Sequence, residues 1–162
     1  MDSTIGEGSS FYILMPRHIP LTIKKSEFSQ KTIRKTSEKP VVLITEDIET
    51  NYAFMRIVLN KAGFDVIHAF NGAEAVEFCK QQQEISIVLM DMKMPVMSGM
   101  EATIRIKSFR NDLPVIAVTA YAHSGEDQLL YDAGCEAILP KPFTRQELLA
   151  TINKFVKVTK KQ

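Results

Sequence analysis

The sequence predicts an α/β fold: a three-layer sandwich with helices on both faces of a five-stranded parallel sheet. Three observations carry this. From Pro40 onward, five short runs of continuous apolar residues recur. Segments with 3.6-residue apolar spacing separate them, and capping residues mark several of the changeovers. Continuous apolar strands suit a parallel sheet covered on both sides, and strict alternation with helices calls for right-handed crossovers.

In chain order, the strands are expected at Val41–Thr45, Asp65–Ala69, Ile85–Met90, Pro114–Val118 and Ala137–Leu139. The first helix follows from Phe54, Ile57, Val58 and Ala62, with Gly63 as its stop. Asn71 with Glu74 reads as the cap of the second helix, and Ser124 with Asp127 as that of the fourth. Thr144 with Glu147 forms a capping box before the fifth, whose apolar stripe is Leu148, Ile152, Phe155 and Val156. The third helix follows the Pro–Gly-punctuated stretch LMDMKMPVMSG, residues 89–99.

The chain has 162 residues, 45% hydrophobic and 24% charged, enough for one ordinary domain with a sizeable core. Its formal charge of +1 gives no bulk attraction to nucleic acid or to an anionic membrane. That total hides a split. Residues 17–40 carry seven basic and two acidic side chains; residues 41–162 carry 13 basic and 15 acidic. The basic stretch, 17–39, reads as a linker, and it lacks the interleaved aromatics of a nucleic-acid binder. Cys79 and Cys135 fit no metal motif and are too few for a disulfide framework, so free thiols in a reducing compartment are expected. No run reaches the ~18 apolar residues of a membrane span.

In an open parallel sheet, ligands gather beyond the carboxyl ends of the strands. There the first strand carries Glu46 and Asp47, the third Asp91, the fourth Thr119 and the fifth Lys141. Each has an ordinary alternative: an acidic strand end caps a helix, a threonine makes a turn, a lysine is solvated. The set points to chemistry, because three carboxylates repel and need cations. Lys141 supplies one charge, and an all-oxygen donor set favours Mg²⁺ for the rest. A carboxylate on rigid strand backbone is a competent nucleophile toward phosphorus, with cations aligned around the phosphoryl oxygens.

VLITEDIETN, IVLMDMKMPVMSGMEA, PVIAVTAYA and GCEAILPKPF, in this order and spacing, resemble the receiver domain of two-component response regulators over residues 41–158. The resemblance implies a flavodoxin-like (βα)5 fold with strand order 2-1-3-4-5. It implies that Asp91 accepts a phosphoryl group from a partner's phosphohistidine. Asp47 would bind Mg²⁺ directly, Glu46 through water, and Lys93 through its backbone carbonyl. Thr119 and Lys141 would meet the phosphoryl oxygens. The Lys141–Pro142 bond is often cis in such domains. Partners would be a histidine-kinase phosphohistidine domain, in cis or in trans, or a histidine phosphotransfer protein. A homodimer stays open, with Ile138, Tyr121 and the fourth helix as a docking face, and the location would be cytoplasmic.

Two departures stand out. Glu46 occupies a position where many receivers have Asp. Ile138 stands where many place a rotating Tyr or Phe, so switching would take another route, with Tyr121 a candidate. Lys93 and Tyr121 are also the positions that tune phosphate lifetime in the family, and the bulk of Tyr121 implies a long-lived phosphate.

The stretch IGEGSSFYILMP, residues 5–16, resembles the last glycine box and final strand of a histidine-kinase ATP-binding domain. This implies a chain organised as kinase remnant 1–16, linker 17–39, receiver domain 40–158 and tail 159–162. It would be the C-terminal part of a membrane-anchored or soluble hybrid histidine kinase, and not itself an enzyme. The other readings are a pseudo-receiver interaction module and a Mg²⁺-dependent aspartyl-phosphate phosphatase. The phosphatase normally needs a second aspartate two residues on, where Lys93 stands.

Overall fold

The computed structural model describes residues 2–4, 8–10, 39–120 and 127–156. The chain divides into two compact units, Met1–Lys35 and Thr36–Gln162. In the first, β1 (Asp2–Thr4) pairs antiparallel with β2 (Gly8–Ser10), with Asp2 opposite Ser10. The apolar half of IGEGSSFYILMP and, apart from Lys39, the linker 17–39 lie outside the described residues, as do Ser124 and residues 157–162.

In the second unit, strands and helices alternate as the sequence predicts: β3 (Val41–Thr45), α1 (Glu49–Ala62), β4 (Asp65–Ala69), α2 (Gly72–Gln81), β5 (Ile85–Asp91), α3 (Gly99–Phe109), β6 (Val115–Thr119), α4 (Asp127–Asp132), β7 (Ala137–Pro140) and α5 (Arg145–Ile152). The sheet runs β4-β3-β5-β6-β7, all parallel. Counted within this unit, that is the order 2-1-3-4-5 of a flavodoxin-like fold.

Every residue of β3 and β6 is buried, and alternate side chains feed two separate cores. Leu43, Val88, Met90, Val115 and Ala117 meet Val76 of α2, Ile106 of α3 and Leu130 of α4. Val42, Ile44, Leu89, Ile116 and Val118 meet Leu59 of α1 and Leu148 and Ile152 of α5. Thus α1 and α5 cover one face, and α2, α3 and α4 the other.

The helix ends follow local chemistry. Asn71 and Ser98 accept at the starts of α2 and α3, from the N–H groups of Glu74 and Glu101. Gly63 closes α1 at φ 94°, a left-handed conformation suited to glycine, and Phe64 N–H returns to the Leu59 carbonyl. Thr144 and Glu147 form the expected capping box.

Two expectations need correction. The buried stripe of α1 is Met55, Val58 and Leu59; Phe54 and Ile57 are 41% and 50% exposed. Both stripes obey helical spacing and share Val58 and Ala62, but the face that carries Phe54 and Ile57 also carries Lys61, whereas the face of Met55, Val58 and Leu59 does not. Burying the second leaves the amine in water. In addition, α5 ends at Ile152, so Phe155 and Val156 pack on the core from the turn beyond it.

The capping box yields a test. The backbone N–H of Thr144, and then its hydroxyl, hold the Glu147 carboxyl below its ordinary value of 4.5. A depressed folded pKa contributes stability that is present above 4.5 and lost as pH falls through the folded value. Thr144→Ala should cost about 1 kcal/mol at neutral pH. The gap to wild type should narrow in urea melts run progressively below pH 4.5.

Candidate functional site

Strand register brings the predicted residues to one rim. Thr45 pairs with Met90, so the next residues along, Glu46 and Asp91, stand side by side on neighbouring strands. Asp91 in turn pairs with Val118, and Thr119 with Pro140. The Lys141 backbone N–H donates to the Thr119 carbonyl at 2.7 Å, and the Lys141–Pro142 peptide is cis. Glu46 N–H donates to Ala69 and Met92 N–H to Val118, each one step past the ends of β3 and β5.

Glu46, Asp47 and Asp91 each offer a carboxylate oxygen within 4.8 Å of the others. Lys141 Nζ donates to Glu46 Oε2 and to Asp91 Oδ2, both at 2.7 Å. The two oxygens are unequal in surroundings. Glu46 is fully buried; its Oε1 accepts from Asn51 Nδ2 at 3.0 Å and from Ile48 N–H at 3.3 Å. Asp91 is 7% exposed, and its Oδ1 accepts from the Lys93 N–H at 3.1 Å. Asp47 is exposed and Thr119 buried. Partial burial works against the Lys141 ammonium, but the hydrogen bonds and negative charges of Asp91 and Glu46 outweigh it, so its pKa stands above the ordinary 10.5.

Three carboxylates gather here, and two of them meet the Lys141 ammonium. The donors are all oxygen, which fits a hard divalent cation such as Mg²⁺. A cleft of about 390 Å³ opens beside Lys141, lined by Asn51, Phe54, Ala120, Lys141, Pro142 and Phe143.

Among the expected residues, Glu46, Asp47, Asp91, Thr119 and Lys141 share the rim. Lys93 is exposed and reaches Asp91 through its N–H. Ile138 is half-buried against the α2–α3 core and Tyr121 lies outside the described residues. Asn51 and His68 went unnoticed as site residues in the sequence. His68 Nε2 lies 2.9 Å from the Glu46 carbonyl oxygen. Asn51, five residues past Glu46, carries no spacing signal that separates it from any exposed helix-start polar residue. Gly99 has a steric role: a Cβ there would stand 2.1 Å from the Asp91 carbonyl oxygen, so α3 begins tight against the end of β5.

The family model for the response regulator receiver domain matches residues 42–153. The polar-differentiation response regulator DivK of Brucella anthropi is 33% identical over 120 residues, which is 71% of this chain and 94% of that protein. DivK of Brucella ovis is 32% identical over 117 residues, with the same coverage. Of solved structures, the receiver domain of sensor histidine kinase PA1611 from Pseudomonas aeruginosa, with magnesium in its active-site cleft, is 31% identical. It has a TM-score of 0.67 and covers 72% of this chain and 97% of that one. Vibrio cholerae chemotaxis protein CheY4 is 25% identical, with a TM-score of 0.68 over 73% of this chain and 99% of that one.

Removal of the Lys141 charge should expose how much it supports. Lys141→Met leaves the buried Glu46 carboxylate facing Asp91 without a cation and should lower stability by about 3 kcal/mol in urea melts. Added Mg²⁺ should narrow the deficit. Because the folded pKa is raised, the wild-type advantage should hold below pH 10.5 and fade as pH climbs through the higher folded value.

Proposed function

Because this chain belongs to the response regulator receiver domain family of two-component signalling, we propose that it is a phosphoacceptor: Asp91 takes a phosphoryl group from a phosphohistidine in the presence of Mg²⁺. The observation that carries this is the Asp91 carboxylate, rigidly presented at the end of β5 and joined to Lys141 at 2.7 Å within a trio of acidic groups.

In the proposed reaction an Asp91 oxygen attacks phosphorus. The P–O bond forms as the P–N bond to the donor imidazole breaks, and the electron pair leaves with the imidazole nitrogen, which takes up a proton. Lys141 shifts its ammonium toward the transferred oxygens, and the Thr119 hydroxyl donates to one of them. Asp47 and Asp91 would hold Mg²⁺, with Glu46 through water and the Lys93 carbonyl beside them. When bound, the ion supplies charge neutralisation for the phosphoryl oxygens. The cleft beside Lys141 leaves room for the donor's side chain and flanking residues. Turnover is not required of this domain, so the chain is a phosphoacceptor rather than an enzyme.

The donor is a histidine-kinase domain in cis or trans, or a histidine phosphotransfer protein. A hybrid histidine kinase as parent is supported by the kinase-like IGEGSSFYILMP stretch and by the likeness to the PA1611 receiver. The near-complete coverage of DivK favours a second reading, a response regulator acting as a single domain. Either would work in the cytoplasm; no helix among the described residues is long and apolar enough to cross a membrane.

Incubation with phosphoramidate and Mg²⁺, read by intact mass, should add about 80 Da, one phosphoryl group, to wild type. Asp91→Asn should add nothing, and EDTA should suppress the gain. A wild type that stays unmodified, or an Asp91→Asn protein that gains the same mass, overturns the assignment.

A further inference from the structure

His68 takes no part in the chemistry above, yet it grips the strand end that carries two of the three carboxylates. It lies on β4, the edge strand, opposite Ile44. Its Nε2 stands 2.9 Å from the Glu46 carbonyl oxygen. A carbonyl only accepts, so the ring nitrogen carries the hydrogen and donates. The N–H of the same residue, Glu46, donates to the Ala69 carbonyl at 3.1 Å. Both main-chain polar groups of Glu46 are therefore taken by β4, one of them by a side chain.

The imidazole is itself immobilised. Tyr52 stacks on it at 3.6 Å with the planes 4° apart, and Phe70 leans against it at 4.1 Å. The Arg56 guanidinium stands over the Tyr52 ring at 5.8 Å. Tyr52 belongs to the first turn of α1, and its N–H donates to the Ile48 carbonyl. The segment Glu46–Ile48 is thus clasped between the edge strand and the helix that follows it.

The Glu46 carbonyl and the Asp47 N–H belong to one planar peptide. Fixing the oxygen fixes the direction in which Asp47 leaves the strand, and with it the stance of its exposed carboxylate relative to Asp91. We propose that His68 is a positioning residue for the divalent-cation site, acting through the Glu46–Asp47 peptide; this rests on the reading of the acidic trio as a Mg²⁺ site. Its effect is on cation affinity, through the peptide that leads to Asp47.

Calorimetric titration of Mg²⁺ into the full chain, with thermal melts alongside, tests this on wild type, His68→Phe and His68→Gln. Phenylalanine keeps a flat ring between Tyr52 and Phe70 and deletes the donor; glutamine returns a side-chain N–H without the ring. His68→Phe should bind Mg²⁺ about tenfold more weakly, in the range of lost outer-shell contacts to metal ligands, and His68→Gln should recover toward wild type. An unchanged dissociation constant in His68→Phe overturns the inference, even if melting drops, and leaves the Mg²⁺ reading standing. Equal weakening in both variants overturns the role of the donor. Failure of wild type to bind Mg²⁺ removes the site reading and the inference with it.

Discussion

The Lys141 ammonium is bound at once to Glu46 and Asp91, each at 2.7 Å, and the geometry of the rim depends on this bridge. Without it, two carboxylates on adjacent strands would face each other with little water between them, one of them fully buried. Charge-assisted bonds of this length are the strong ones, and their value rises as solvent is excluded. Yet a single ammonium cannot balance three carboxylates. An all-oxygen acidic trio beside one bridging ammonium is suited to a divalent ion.

The rest of the fold holds that imbalance in place. Asp91 ends β5, Glu46 stands one residue past β3 and Asp47 two, so the parallel sheet ties the backbones of Glu46 and Asp91 to their neighbours. Gly99 brings α3 against the Asp91 carbonyl with no room for a side chain, which fixes the far side of β5. At the opposite end of the sheet, Lys107 bridges to Glu136 and to the Leu113 carbonyl, while Glu136 also accepts from Val115 N–H. That pairing ties α3 to the starts of β6 and β7. Both ends of α3 are anchored, one at the acidic rim and one at the base.

Much of this was legible in the sequence because apolar periodicity and caps are local signals. The strands fell within a residue of their expected ends, and the Asn71 and Thr144 caps appeared where side-chain chemistry placed them. Order along the chain plus the carboxyl-edge rule sufficed to gather Glu46, Asp47, Asp91, Thr119 and Lys141 on one rim. What failed was choice between equals. In α1 two apolar stripes share Val58 and obey the same spacing, and Lys61 lies on the face of the one that turns to water. His68 and Asn51 were invisible for another reason. Their roles come from what β4 and α1 place beside Glu46, which no spacing along the chain encodes.

The length of the Glu46 side chain suits the span it bridges. Lys141 follows β7, three strands away from β3, and strands lie about 4.8 Å apart, so the backbones stand roughly 14 Å from each other. The lysine stem covers much of that distance over Asp91. Asp91 meets the ammonium with the shorter side chain and Glu46 with the longer, each at 2.7 Å. The longer side chain closes the gap and still leaves Oε1 to accept from Asn51 and Ile48. Both oxygens of its carboxylate accept hydrogen bonds within the protein. Glu46 is the buried partner of Lys141, and the Asp47 carboxylate is exposed. Control over where Asp47 points therefore passes to the peptide that precedes it, and so to the edge strand that grips that peptide.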